Sequence, residues 1–177
     1  MKTKSISIKN ILYTTDLSDT ALHAFSYAVS LANLYNATIT VLHVIGDDAR
    51  NIAESRLITS GFLTQDEFEK ISQQHTSDAR ESLTGKKRSN VIFKDALNRF
   101  AENVKEDEDS PAFTTDRTLV LFGDAVEKII ETSKALNSDL IVMGAHGYGF
   151  LQDLLGSTTR KVLRKSKIPV MVVRLDG

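Results

Sequence analysis

The chain has 177 residues, 41% of them apolar and 25% charged, with a net charge of −1 and no cysteine. That length supports one domain with a substantial core, the balanced charge leaves no global basic field to recruit nucleic acid, and the missing thiols exclude disulfides, thiol catalysis and cysteine-based zinc sites. Apolar runs such as residues 140–144 and 168–173 are too short to span a bilayer, and the opening Met-Lys-Thr-Lys-Ser-Ile-Ser-Ile lacks the apolar stretch of a signal peptide, so a cytoplasmic protein without a membrane partner is expected.

Residues 8–15 read as a first strand. The turn Asp16-Leu17-Ser18 leads into a helix, with Ser18 as N-cap and Asp19 in the first turn, where the helix dipole favours an anion. Ala21, Ala24, Phe25, Ala28, Leu31 and Ala32 then recur at helical spacing, and Asn36 is the expected stop. Residues 37–45 are β-branched and nearly continuously apolar in their second half, which suits a strand covered on both faces. Gly46 ends that strand. Thr64-Gln-Asp-Glu67 has the form of a capping box opening a long helix, whose inner side carries Phe68, Ile71, His75, Ala79 and Leu83. Residues 85–90 (Gly-Lys-Lys-Arg-Ser-Asn) interrupt it, and Val91, Ala96, Phe100 and Val104 mark its resumption. Residues 106–111 (Glu-Asp-Glu-Asp-Ser-Pro) read as a solvated acidic loop.

Residues 118–122 predict a third buried strand, ending at Gly123. Asp124-Ala-Val-Glu127 is a second capping box, followed by the amphipathic face Val126, Ile129, Ile130, Ser133 and Leu136. Residues 139–143 form the fourth strand, a glycine-rich loop follows, and a helix runs from about Gly156 to Ser166. Its tail carries Arg160, Lys161, Arg164, Lys165 and Lys167, which complement the negative end of the dipole. Pro169 blocks helix continuation, and residues 170–173 are the last strand. This alternation gives an α/β class: a five-stranded parallel sheet between helices, an open doubly wound sandwich. A single domain over 1–177 is expected, with a long helical insert at about 64–110.

In such a sheet, ligands bind beyond the carboxyl ends of the strands, where strand order reverses. Thr14, Thr15 and Asp16, then His43, Val44 and Ile45, and finally the glycine loop converge there. Gly144, Gly147 and Gly149 leave backbone unshielded, and Gly156, Ser157, Thr158 and Thr159 offer amides and hydroxyls at a helix start, a natural site for phosphate. Neither the P-loop tripeptide nor the dinucleotide fingerprint after the first strand is present. His146 has no carboxylate or nucleophile partner in the sequence and reads as a loop residue or peripheral ligand contact. His23, His43 and His75 lack metal-ligand spacing, and His43 is expected in or beside the sheet as a satisfied polar side chain. No catalytic residue and no metal ligand is assigned.

In these residues the chain resembles the universal stress protein family, of its nucleotide-binding type, over residues 11–44 and 118–173. Gly144-Ala-His-Gly147 and Gly156-Ser157 match the two ends of the family's ATP signature, with eight residues between them, one fewer than the family spacing. Thr14 stands where the family has proline in its first strand. The resemblance implies an adenine nucleotide α-hydrolase-like fold and an ATP-binding sensor or regulator of the stress response, with at most slow ATP hydrolysis or autophosphorylation. It implies that Asp16 accepts from the adenine or ribose, that Val44 reads adenine through its backbone, and that Thr14 and Thr15 line the base pocket. Met143 and Gly144 would pass under the ribose and phosphates, and Gly147, Gly156, Ser157, Thr158 and Thr159 would donate to the phosphates. The implied ligand is ATP, with ADP or AMP as alternatives, and Mg²⁺ accompanies the triphosphate. A homodimer through the C-terminal strand is also implied. The alternative is an interaction module of the same fold that binds no nucleotide. Adenylyl-transferring enzymes of this fold carry His-Ile-Gly-His or Ser-Gly-Gly-x-Asp-Ser loops, and neither occurs here.

Overall fold

The computed structural model describes residues 5–46, 64–67, 69–70, 93–98, 114–145 and 155–175. Within them run β1 (Asn10–Thr15), α1 (Asp19–Tyr35), β2 (Thr38–Ile45), β3 (Thr114–Phe122), α2 (Ala125–Ala135), β4 (Leu140–Gly144), α3 (Ser157–Lys165) and β5 (Val170–Val173). Of the expected insert at 64–110, residues 65–67, 69–70 and 93–98 are helical. The capping box at its start is complete, Glu67 N donating to Thr64 Oγ1 at 3.2 Å and Thr64 N to Glu67 Oε2 at 2.8 Å. The inner-face positions Phe68, Ile71, His75, Ala79, Leu83, Val91, Phe100 and Val104, the interruption at 85–90 and the acidic stretch at 106–111 lie outside the described residues.

The five strands are parallel and ordered β3-β2-β1-β4-β5. From β1 the chain steps outward to β2 and β3, then crosses to the other side of β1 for β4 and β5. Right-handed crossovers therefore put the two connections before β3 on one face and the two after it on the other. One face carries α1 and residues 93–98: Ile11, Tyr13, Ile39, Val41, Ile45 and Val142 pack with Ala24, Phe25, Ala28, Ala32, Phe93 and Leu97. The other carries α2 and α3: Leu12, Leu42, Ile141 and Met143 pack with Val126, Ile129 and Val162. Alternate residues of one strand serve opposite cores, and that double coverage is why β1, β2 and β4 read as almost unbroken apolar runs.

Local chemistry sets the element ends. Ser18 is extended at φ −80°, ψ 159°, and its hydroxyl accepts from Ala21 N at 3.2 Å, the expected N-cap of α1. Asn36 closes α1 in the left-handed region at φ 51°, ψ 46°. Asp124 caps α2, its Oδ1 accepting from Glu127 N at 2.8 Å. β3 is followed directly by Gly123, whose φ of +126° needs a residue without a side chain. The strand boundaries that depart furthest from the sequence expectation are the starts of β1 and β3. β1 begins at Asn10 rather than at residue 8, and β3 begins at Thr114, four residues before 118. The early part of β3 is the polar Thr-Thr-Asp-Arg, and it holds to β2 across a register shift between Ile39 and Thr40. Held by that pairing, the start of the strand needs no continuous apolar run to persist.

At the end of the sheet remote from the loops, Asp139 Oδ2 accepts from Lys9 N (2.8 Å) and Asn10 N (3.0 Å), and Asp139 N donates to Asn10 O at 2.8 Å. This carboxylate sets the stagger of β4 on β1, and with it the relative height of their carboxyl ends.

Candidate functional site

The order of strands reverses between β1 and β4, and the described members of the expected ligand set lie at the carboxyl ends of β1, β2 and β4 and at the start of α3. Thr14 is register partner to both Leu42 and Met143. By strand alternation Thr14, Val44 and Met143 share the α2/α3 face, while Thr15 and His43 share the α1 face. Thr14, Thr15 and Met143 are buried, and Val44 and Asp16 half-buried.

The turn from β1 to α1 is wound tightly by its own side chains. Thr15 Oγ1 accepts from Leu17 N at 3.0 Å. Asp16 Oδ1 accepts from Ser18 N at 3.1 Å and from Ser18 Oγ at 2.6 Å. The Asp-x-Ser pattern is that of an Asx turn. Between them Leu17 has φ 67° with its side chain fully buried. A left-handed leucine is a true outlier, kept in place only by surroundings that over-determine it. Asp16 is thereby fixed through one carboxylate oxygen, and its Oδ2 has no hydrogen bond among the described residues.

Across the crevice, the end of β4 anchors the start of α3. Ala145 N donates to Val173 O at 2.7 Å, Gly156 N to Ala145 O at 2.8 Å, and Thr159 Oγ1 to Gly144 O at 3.1 Å. Two expected phosphate donors, the Gly156 amide and the Thr159 hydroxyl, are thus committed to holding the helix on the strand. The first helical bond is Arg160 N to Gly156 O at 3.0 Å. Among the described residues, the amides of Ser157, Thr158 and Thr159 have no acceptor, and the Ser157 and Thr158 hydroxyls accompany them. They concentrate the positive end of the helix dipole.

Gly144 lies between the two halves. A Cβ there would meet Ala21 N at 3.0 Å, Thr20 C at 3.1 Å and Ala21 Cα at 3.2 Å, all backbone of the first turn of α1. The missing side chain, expected to clear a path for the ribose and phosphates, makes room for α1. Gly147 lies outside the described residues, as do His146, Tyr148, Gly149 and Phe150.

Two further residues shape the site without having been assigned to it from the sequence. Tyr13 is fully buried, its hydroxyl donating to Ala21 O at 2.7 Å and its ring 4.9 Å from that of Phe25, so it ties β1 to the start of α1. Burial pushes its phenol pKa well above the ordinary value. His43, in the sheet as expected, has Nδ1 2.8 Å from Thr15 O. Neither role has a local signal, because both partners are remote in sequence or backbone. Among the described residues, no group of three or more His, Cys, Asp or Glu gathers as a metal site, and no helix is long and apolar enough to cross a membrane.

The family model described as the universal stress protein family matches residues 7–174. Universal stress protein MJ0577 of Methanocaldococcus jannaschii is 32% identical over 171 residues, covering 96% of this chain and 97% of that protein. The solved structure of MJ0577 superposes with a TM-score of 0.62 at 25% identity, over 97% of this chain and 99% of that one. A universal stress protein crystallised in complex with cAMP shares the fold, with a TM-score of 0.57 at 19% identity over 96% and 98% of the two chains. The family pattern runs from before β1 to the end of β5, on a sheet with the same architecture, and the chain belongs to the universal stress protein family.

Proposed function

We propose that this stress-response protein binds an adenine nucleotide, ATP ahead of ADP or AMP, in the crevice between β1 and β4, and that occupancy rather than fast turnover is its signal. One observation supports the reading: the first turn of α1, just after Asp16, and the start of α3 both pack at Gly144. On one side the rigid turn holds the Asp16 carboxylate, an acceptor for adenine or ribose. On the other, the amides of Ser157, Thr158 and Thr159 open a helix toward an anion. Thr14, Thr15, Val44 and Met143 supply the walls between them, and Gly147 joins the phosphate loop on the same reading. A universal stress protein of the same fold has been crystallised with cAMP, itself an adenine nucleotide.

Mg²⁺ would arrive with the triphosphate. It is a hard ion that keeps several waters and is held largely by phosphate oxygens, and the Ser157 and Thr158 hydroxyls are oxygen ligands of matching chemistry. Hydrolysis is at most slow, and the cytoplasm, where adenine nucleotides abound, is the compartment that fits. The second reading, an interaction module without nucleotide, gains some support from the internal use of the Gly156 amide and the Thr159 hydroxyl. To decide, the purified protein is denatured, any released nucleotide is identified, and ATP, ADP and AMP are titrated calorimetrically with and without Mg²⁺. Saturable binding with preference for ATP is expected. Absence of binding at millimolar nucleotide would overturn the proposal in favour of the interaction module.

A further inference from the structure

We infer that His43 is a positioning residue for the base-and-ribose half of the site, acting through the Thr15 carbonyl on the turn that presents Asp16; this rests on reading the crevice as an adenine-nucleotide site. His43 lies at the carboxyl end of β2, directly beside Thr15 in the parallel register. Its side chain is buried, with 3% exposure. Nδ1 stands 2.8 Å from Thr15 O, and a carbonyl only accepts, so Nδ1 carries the proton and donates it. The imidazole plane is fixed from its other side by Phe93, stacked at a centroid distance of 4.9 Å and an interplanar angle of 16°.

Thr15 O belongs to the peptide plane that leads into Asp16. The same residue's hydroxyl holds Leu17 N, and Asp16 in turn holds Ser18. Pinning the Thr15 carbonyl therefore sets the direction in which the strained turn departs from the sheet, and the strained φ of Leu17 makes that direction costly to recover once lost. The phosphate half draws its hydrogen bonds from β4, β5 and the start of α3 and, among the described residues, none from the Asp16 turn. The effect of His43 falls on the base and ribose and spares the anion site.

Two substitutions separate the hydrogen bond from the packing. His43→Phe keeps an aromatic ring against Phe93 and has no donor. His43→Asn loses the ring and places its side-chain NH₂ where Nδ1–H was. With the full-length protein, calorimetry with ATP, adenosine and inorganic tripolyphosphate is combined with hydrogen exchange at the Leu17 and Ser18 amides of the free protein. His43→Phe should weaken ATP and adenosine by about tenfold, the loss of roughly one hydrogen bond of a buried pair. It should leave tripolyphosphate unchanged and speed exchange at both amides, and His43→Asn should restore nucleotide affinity and protection despite a lower Tm. Unchanged affinity and exchange in His43→Phe, or equal loss in both variants extending to tripolyphosphate, would overturn the inference. If the wild type binds neither ATP nor adenosine, the nucleotide reading falls and the inference as a binding role falls with it; if the wild type binds and His43→Phe is silent, only the role of His43 falls.

Discussion

Tyr13 sits wholly inside the α1 face of the sheet, with its hydroxyl spent on the Ala21 carbonyl. The low-dielectric surroundings disfavour the phenolate, so the folded state holds the phenol pKa above its ordinary value of about 10. A raised pKa means the fold selects the protonated form. Its contribution is complete below about pH 10, and it is lost as pH rises further, because the unfolded chain releases its proton first. Tyr13→Phe should cost ~1 kcal/mol at neutral pH through the lost hydrogen bond. It should also show a flatter fall in urea midpoint between about pH 9 and about pH 11 than the wild type; parallel falls would mean that other groups govern the alkaline limb. Ser18, Asn36, Asp124 and the pair Thr64–Glu67 were legible as caps because a cap is a contact within four residues. The left-handed Leu17 and the His43 contact were not. The first depends on burial of its side chain and the second on a partner in another strand, and neither leaves a trace in local spacing.

At the scale of elements, the placement of α1 depends on a bare strand end. Backbone atoms of Thr20 and Ala21 occupy the space a side chain would need at Gly144, so neither neighbour can yield by changing a rotamer. Gly144→Ala should destabilise the fold by ~1–3 kcal/mol, the usual cost of forcing an extra methyl into packed structure, and denaturant unfolding measures it. An unchanged midpoint would show that α1 shifts without penalty. From the sequence this glycine belongs to a phosphate loop, because Gly-x-x-Gly after a strand is a local pattern; the contact that requires it comes from more than a hundred residues away in the chain and only the fold reveals it. The same locality explains β3. Its apolar end at 119–122 was readable, and its polar beginning at Thr114 is held by pairing to β2 rather than by composition.

For the whole molecule, alternation of strands and helices was sufficient to give the parallel sheet and the place of its crevice, since the crossover rule leaves few arrangements. The crevice and the outer edge at β5 have separate uses in this account. Bonds from Ile141 N to Pro169 O and from Ala145 N to Val173 O show that the odd-numbered residues of this stretch face β4. In a parallel ladder Val170 and Val172 then turn their backbone groups outward. We propose that this edge, next to the exposed Leu175, pairs with its copy in a homodimer. The wild type is expected to sediment as a dimer and Val172→Pro, which removes an outward amide and leaves the β4 ladder intact, as a monomer that still binds nucleotide. A monomeric wild type would overturn the dimer and leave the proposed crevice site unaffected.

On the proposed reading an adenine nucleotide lies across the β1–β4 crevice, with its base end at the Asp16 turn and its phosphates on the start of α3. Amide chemical shifts recorded during an ATP titration test it at the site itself. Saturable shifts are expected at Asp16, Val44, Ser157, Thr158 and Thr159, with those of α3 lost when adenosine replaces ATP. Saturation by ATP that leaves these amides unmoved, or that moves only residues elsewhere on the protein, would contradict it.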